Sequence, residues 1–178
     1  MTASTVRGLV ATVPLVAVAV AIAAPAPAMP GGSAAAAARI TPKGVGKVRL
    51  GRTHASLKRA GLVGPQRPGC ELGGPGTRGA KLRAPLKGAV DLTRKDPRRV
   101  RSILVTGGAK ARGVGIGSTE ADIRSAYPKA KFDKSTQEVF AITLVKVPKN
   151  GGGRLQFALD EDKDRVTLIG VPFIAFCE

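Results

Sequence analysis

Hydrophobic positions in this chain come in short alternating runs broken by glycine and proline, a pattern of brief strands and helices. Val48 and Leu50 flank Arg49, and Val114 and Ile116 flank Gly115, so each trio predicts a short extended segment. Gly51 and Gly117 follow as turns, and Thr53 and Thr119 supply hydroxyls that cap a helix N-terminus. The first helix is expected through Ala55, Leu57 and Ala60, stopping at Gly61; the second through Ala121, Ile123 and Ala126, stopping at Tyr127-Pro128. Glu120 and Asp122 suit the positive end of the second helix dipole.

Strands are expected after each helix. The second half offers Val139 to Val147, Leu155 to Leu159 and Val166 to Val171, with turns at Asn150 to Gly153 and Asp160 to Asp164. The first half is less regular, with strands expected at Leu82 to Ala84, Val90 to Leu92 and Val100 to Thr106. Between Gly61 and Gly79 the sequence reads as a loop rich in glycine and proline, with Cys70 inside.

The two halves align at a constant offset of 66 residues. Val48-Arg49-Leu50-Gly51-Arg52-Thr53 falls on Val114-Gly115-Ile116-Gly117-Ser118-Thr119, Leu57 on Ile123, Arg99-Val100 on Arg165-Val166, Ile103 on Ile169 and Val105 on Val171. The expected class is therefore α+β: two tandem repeats, about 44–106 and 110–172, each a short helix followed by an antiparallel β-meander, with the helices packed on one face of a shared sheet. Carried by Leu50 to Thr53 with Leu57, Ile116 to Thr119 with Ile123, and the Val100 and Val166 strands, this plan resembles the β-lactamase inhibitor protein family and the related small outer-membrane-assembly lipoproteins. The resemblance covers about residues 44–176 and implies an exported, non-enzymatic protein that binds other proteins through a concave sheet. The inhibitor's aromatic-rich face has no counterpart in the first half, because every aromatic (Tyr127, Phe132, Phe140, Phe157, Phe173, Phe176) lies in the second. No inhibitory residue is carried over.

Residues 1–28 read as a signal peptide: Arg7, an apolar stretch from Leu9 to Ala24, and a cleavage site at Ala26-Pro27-Ala28. The stretch is shorter than the ~20 residues of a membrane span and contains Pro14, which disfavours an uncleaved anchor. A secreted or otherwise extracytoplasmic protein is expected, with no transmembrane segment after cleavage. Residues 29–39 read as a flexible tail and 40–178 as the repeat domain. Export makes the two cysteines a natural disulfide, Cys70 with Cys177, the alternative being two buried thiols. Such a bridge closes a loop for which chain entropy gives ~4–5 kcal/mol.

Charge then marks a face. The chain holds 29 basic and 12 acidic side chains. Residues 29–95 contain fourteen of the former but only Glu71 and Asp91 of the latter. Arg49, Arg52, Lys58, Arg59, Arg78, Lys81, Arg83 and Lys87 are the candidate contacts for an anionic partner. With no aromatic among them, unspecific contact with a polyanion is favoured over base readout.

Catalytic and metal chemistry is not expected. His54 is the only histidine and reads as a surface residue. Asp160, Asp162 and Asp164 start like a calcium loop, but Arg165 replaces the turn glycine and Val171 the closing glutamate. Gly73 to Gly79 lacks the Gly-Lys-Ser/Thr ending of a phosphate cradle, and Gly113 to Gly117 lacks dinucleotide-binding spacing. No cofactor is expected. The partner is a protein or, alternatively, an anionic polymer: wall polymer, nucleic acid or membrane surface.

Overall fold

The computed structural model describes residues 37–70, 74–148 and 154–176, all within the unit Ala35–Glu178. The expected signal peptide, the turn at Asn150 to Gly153 and Cys177 lie outside the described residues. In chain order the elements are β1 (Ala38–Thr41), β2 (Gly44–Val45), β3 (Val48–Arg49), α1 (His54–Arg59), β4 (Val63–Pro68), β5 (Arg78–Leu82), β6 (Lys87–Leu92) and β7 (Val100–Gly107). There follow β8 (Ala109–Ala111), β9 (Val114–Gly115), α2 (Glu120–Ala126), β10 (Lys131–Asp133), α3 (Gln137–Phe140), β11 (Ile142–Val147), β12 (Leu155–Asp160) and β13 (Arg165–Val171). A small sheet has the order β3-β2-β1-β8-β9, and a large antiparallel sheet the order β10-β11-β12-β13-β7-β6-β5-β4.

Both larger helices start as the sequence predicts. The Thr53 hydroxyl accepts the Ser56 N–H at 3.3 Å, and the Thr119 hydroxyl accepts that of Asp122 at 3.2 Å. Asp122 answers by accepting the Thr119 N–H at 2.8 Å, which completes a capping box that α1 lacks. Gly51 and Gly117 take φ of +78° and +85°, the left-handed region that glycine enters without a Cβ penalty. Their N–H groups donate to the Val100 and Val166 carbonyls at 2.9 and 2.8 Å. Arg99 and Arg165 in turn donate from Nη1 to the Gly51 and Gly117 carbonyls at 3.0 and 3.1 Å.

Alternation of side chains builds the core. One face of the large sheet contributes Ala80, Leu82, Val90, Ile103, Val105, Val145, Phe157, Ile169 and Val171 to a cluster that also holds Leu57 of α1, Ile123 of α2, and Val45, Val48 and Val114 of the small sheet. Burial of each such side chain contributes about 1.5–3 kcal/mol. The two meanders meet where β7 pairs with β13: Ile103 faces Val171, Leu104 faces Gly170, and Val105 faces Ile169.

Several boundaries differ from expectation. Val63–Pro68 is a strand, not loop, and Arg78 and Gly79 already belong to β5. Pro65 and Pro68 are tolerated because β4 is an edge strand, where a missing N–H breaks no interior ladder. β5 ends at Leu82, short of Ala84. Val139 and Phe140 are helical, and Ala141 at φ +50° turns the chain into β11, so alternation alone misplaces the strand start. Ala38 and Arg39, expected in the tail, pair in parallel with Ala109 and Lys110.

Candidate functional site

The other face of the large sheet is turned away from α1 and α2, whose Leu57 and Ile123 pack into the core. Its side chains form cross-strand rows fixed by the register. In the first half one row runs Arg67, Gly79, Asp91, Ser102 across β4 to β7. In the second half the corresponding row runs Asp133, Leu144, Ala158, Leu168 across β10 to β13.

Residues 172–176 turn back over this outer face after β13. Gly170 makes the reversal possible, because a Cβ there would sit 2.5 Å from the Phe173 carbonyl group. The returning strap donates the Ile174 N–H to Gln156 Oε1 at 2.8 Å and buries Ile174 against Leu144 and Ala158, with Leu104, Ile142, Leu168 and Phe176 around them. Phe176 stacks on Phe140 at 4.9 Å between ring centroids, and the Arg101 guanidinium lies 5.4 Å from the Phe173 ring centre. The strap therefore seals the apolar row of the second half.

Over the first half the strap leaves a cavity of about 300 Å³, lined by Arg67, Gly79, Asp91, Ser102, Leu104 and Phe173, among others. Ser102, almost wholly buried, donates its hydroxyl to Asp91 Oδ2 at 2.7 Å. The other carboxylate oxygen overhangs Gly79, whose absent Cβ would lie 3.8 Å from it. An anionic acceptor held by a buried hydroxyl thus faces a hollow that Arg67, exposed on the edge strand β4, also lines.

The eight predicted basic residues do not converge. Lys81 and Lys87 line one depression beside Pro85. Arg78 lies at the start of β5 and Arg83 just beyond its end. Arg49 is on the small sheet, Arg52 precedes α1, and Lys58 and Arg59 form its last turn, where they complement the helix dipole. All eight are exposed, and none forms an ion pair among the described residues.

His54 is buried, contrary to the surface placement expected. Its Nε2–H donates to the Gly64 carbonyl at 3.0 Å, and Nδ1 accepts from Gln66 Nε2 at 3.2 Å. This ring satisfies a carbonyl where the β4–β5 ladder is irregular between Val63 and Gln66, and it ties α1 to the edge strand. Asp160 accepts the Lys163 N–H at 3.0 Å within the β12–β13 turn. Among the described residues no group of three or more His, Cys, Asp or Glu is placed to hold a metal ion. Cys70 is disulfide-bonded, and its sulfur lies 3.8 Å from the Phe176 carbonyl oxygen.

Two carboxyls are held below their ordinary range. Hydrogen bonds from Lys146 and Ser135 do this for Asp133, and those from the Thr119 backbone and hydroxyl for Asp122. Burial pushes the Tyr127 phenol up.

Arg67, Gly79, Asp91, Ser102 and the strap were not singled out as a site by the sequence. The one available signal was that Asp91 is one of only two acids in residues 29–95. No protein-family model, curated protein or solved structure matches the chain.

Proposed function

We propose that this is an exported, non-enzymatic binding protein, cleaved near Ala28 and built as a tandem repeat similar in plan to the β-lactamase inhibitor proteins, whose outer sheet face receives a protein partner. The repeat reading is supported by hydrogen bonds that recur 66 residues apart: Gly51 and Gly117 to Val100 and Val166, and Arg99 and Arg165 to Gly51 and Gly117. It is supported also by the β7–β13 seam, where Leu104 faces its own counterpart, Gly170. The binding reading rests on one observation above the rest: the outer face combines an apolar strap with an open cavity, the mixed chemistry of a protein interface. The same strap brings Phe176 to Cys70, which supports a bridge from Cys70 to Cys177. A second reading, attraction of an anionic polymer, is favoured by the exposed cations Arg49, Arg52, Lys58 and Arg59 around α1.

Capture separates the two. Protein from Met29 onward, immobilised and exposed to secreted and envelope fractions, is expected to retain a protein partner at high salt. A Leu104→Asp change on the outer face should abolish that retention. If instead all bound material elutes at modest salt and Arg52→Glu with Arg59→Glu removes it, the polymer reading replaces the first.

A further inference from the structure

We propose that the cavity under the strap is a binding site for a small zwitterion of amino-acid to dipeptide size, its ammonium held by Asp91 and its carboxylate by Arg67. This goes beyond the macromolecular partner proposed above and stands or fails without it.

The argument begins with what the row lacks. Where the second half places Leu144 and Leu168, the first half has Gly79 and Ser102, so apolar volume is missing at the two positions flanking Asp91. The strap does not replace it, and the resulting space of about 300 Å³ lies at the lower end of the roughly 300–1000 Å³ typical of small-ligand pockets. A mere packing gap would be lined by apolar groups. This one is lined by Asp91 and, two strands away in the same row, by Arg67.

The carboxylate is oriented before any ligand arrives. Ser102 engages Oδ2 at 2.7 Å, which leaves Oδ1 directed over the bare Gly79 backbone. An ammonium there gains a charge-assisted hydrogen bond. Arg67 and Asp91 stand two strands apart, about 10 Å between backbones, with only Gly79 between them. That spacing suits a ligand that carries opposite charges at its two ends. Leu104 and Phe173 supply an apolar wall for its side chain.

Lys81 and Lys87 sit on the same half of the sheet and, with Arg67, repel a free cation such as a simple amine. A ligand with its own carboxylate escapes that repulsion, which is why a zwitterion is favoured over a monocation.

The test uses the mature chain with alanyl-phenylalanine and its N-acetyl and C-amide derivatives, read by calorimetry and by amide shifts of Gly79 and Ala89. The free dipeptide is expected to bind saturably, N-acetylation or Asp91→Asn to weaken it about tenfold, and amidation or Arg67→Gln to weaken it several-fold. Asp91→Asn should leave binding of the N-acetyl derivative unchanged, since the contact it removes is already absent. Both substitutions are near-isosteric or exposed, and circular dichroism verifies the fold. No saturable shift up to about 10 mM, or equal affinity for all three compounds, overturns the proposal.

Discussion

Residues 38–107 and 109–171 each run from short strands of the small sheet through a Thr-capped helix into four strands of the large sheet, the second adding α3 between β10 and β11, yet they distribute bulk differently across that sheet. On the core face Val90 of the first half stands where the second half has Phe157, both fully buried and both facing an isoleucine, Ile103 or Ile169. On the outer face Gly79 and Ser102 stand where the second half has Leu144 and Leu168. The helices differ too. His54 is buried as a polar tie to β4, while Glu120 at the same place in α2 pairs with Arg124 at 2.5 Å on the surface. At these positions the second half carries the greater apolar bulk, and where that bulk is absent the first half opens a cavity on its outer face. Two stretches with similar strand order thus differ in a few side-chain volumes.

The sharpest way to break the contrast is Phe157→Ala. Removing the largest fully buried side chain should cost about 3–5 kcal/mol, and Val90→Ala distinctly less, measured as the shift of the urea midpoint. Equal losses would mean that the halves share one packing regime.

A smaller effect is expected from His54→Leu. The ring's volume is kept roughly, but the Gly64 carbonyl and the Gln66 amide lose their partner, at about 1–3 kcal/mol. Hydrogen exchange should show β4 opening ahead of β5. If β4 stays as protected as before, the tie between helix and edge is not what holds that strand.

Acid should act on the second half through Asp133 and Asp122, whose carboxyls are held below their ordinary range by hydrogen bonds. A depressed folded value means that the contribution is fully present above the unfolded value of about 3.9 and is lost as pH falls toward the folded one. Asp122 is exposed and Asp133 only partly buried, so this loss is the smallest of the three. The variant carrying Asp133→Asn and Asp122→Asn should start less stable at neutral pH and decline less on acidification. A parallel decline would remove these two groups from the explanation.

How much of this the sequence disclosed depended on whether the cause was local. Thr53, Thr119, Gly51 and Gly117 act on neighbours a few residues away, so the starts of both helices were legible. Val63–Pro68 was not, because two prolines mark a loop unless the strand is known to lie at an edge, which only the sheet order reveals. His54 was misplaced for the same reason: its partners, Gly64 and Gln66, come from that unrecognised strand. The candidate site was hidden more deeply. Arg67, Gly79, Asp91 and Ser102 become neighbours only through three strand registers, and the eight basic residues chosen for their sign spread over both sheets, a helix and its flanking turn.

The seam between β7 and β13 has a consequence for assembly. Ile103 meets Val171 and Val105 meets Ile169 about the central Leu104 and Gly170, so each rim of the junction reads the other's apolar pattern in reverse. Such a junction is self-complementary, as an isologous contact between two identical subunits is. The covalent link at Gly108 makes that association intramolecular, and it holds at any dilution. A chain cut there would present β7 as a bare edge matched to a second copy of itself, and its concentration would then decide whether the sheet closes.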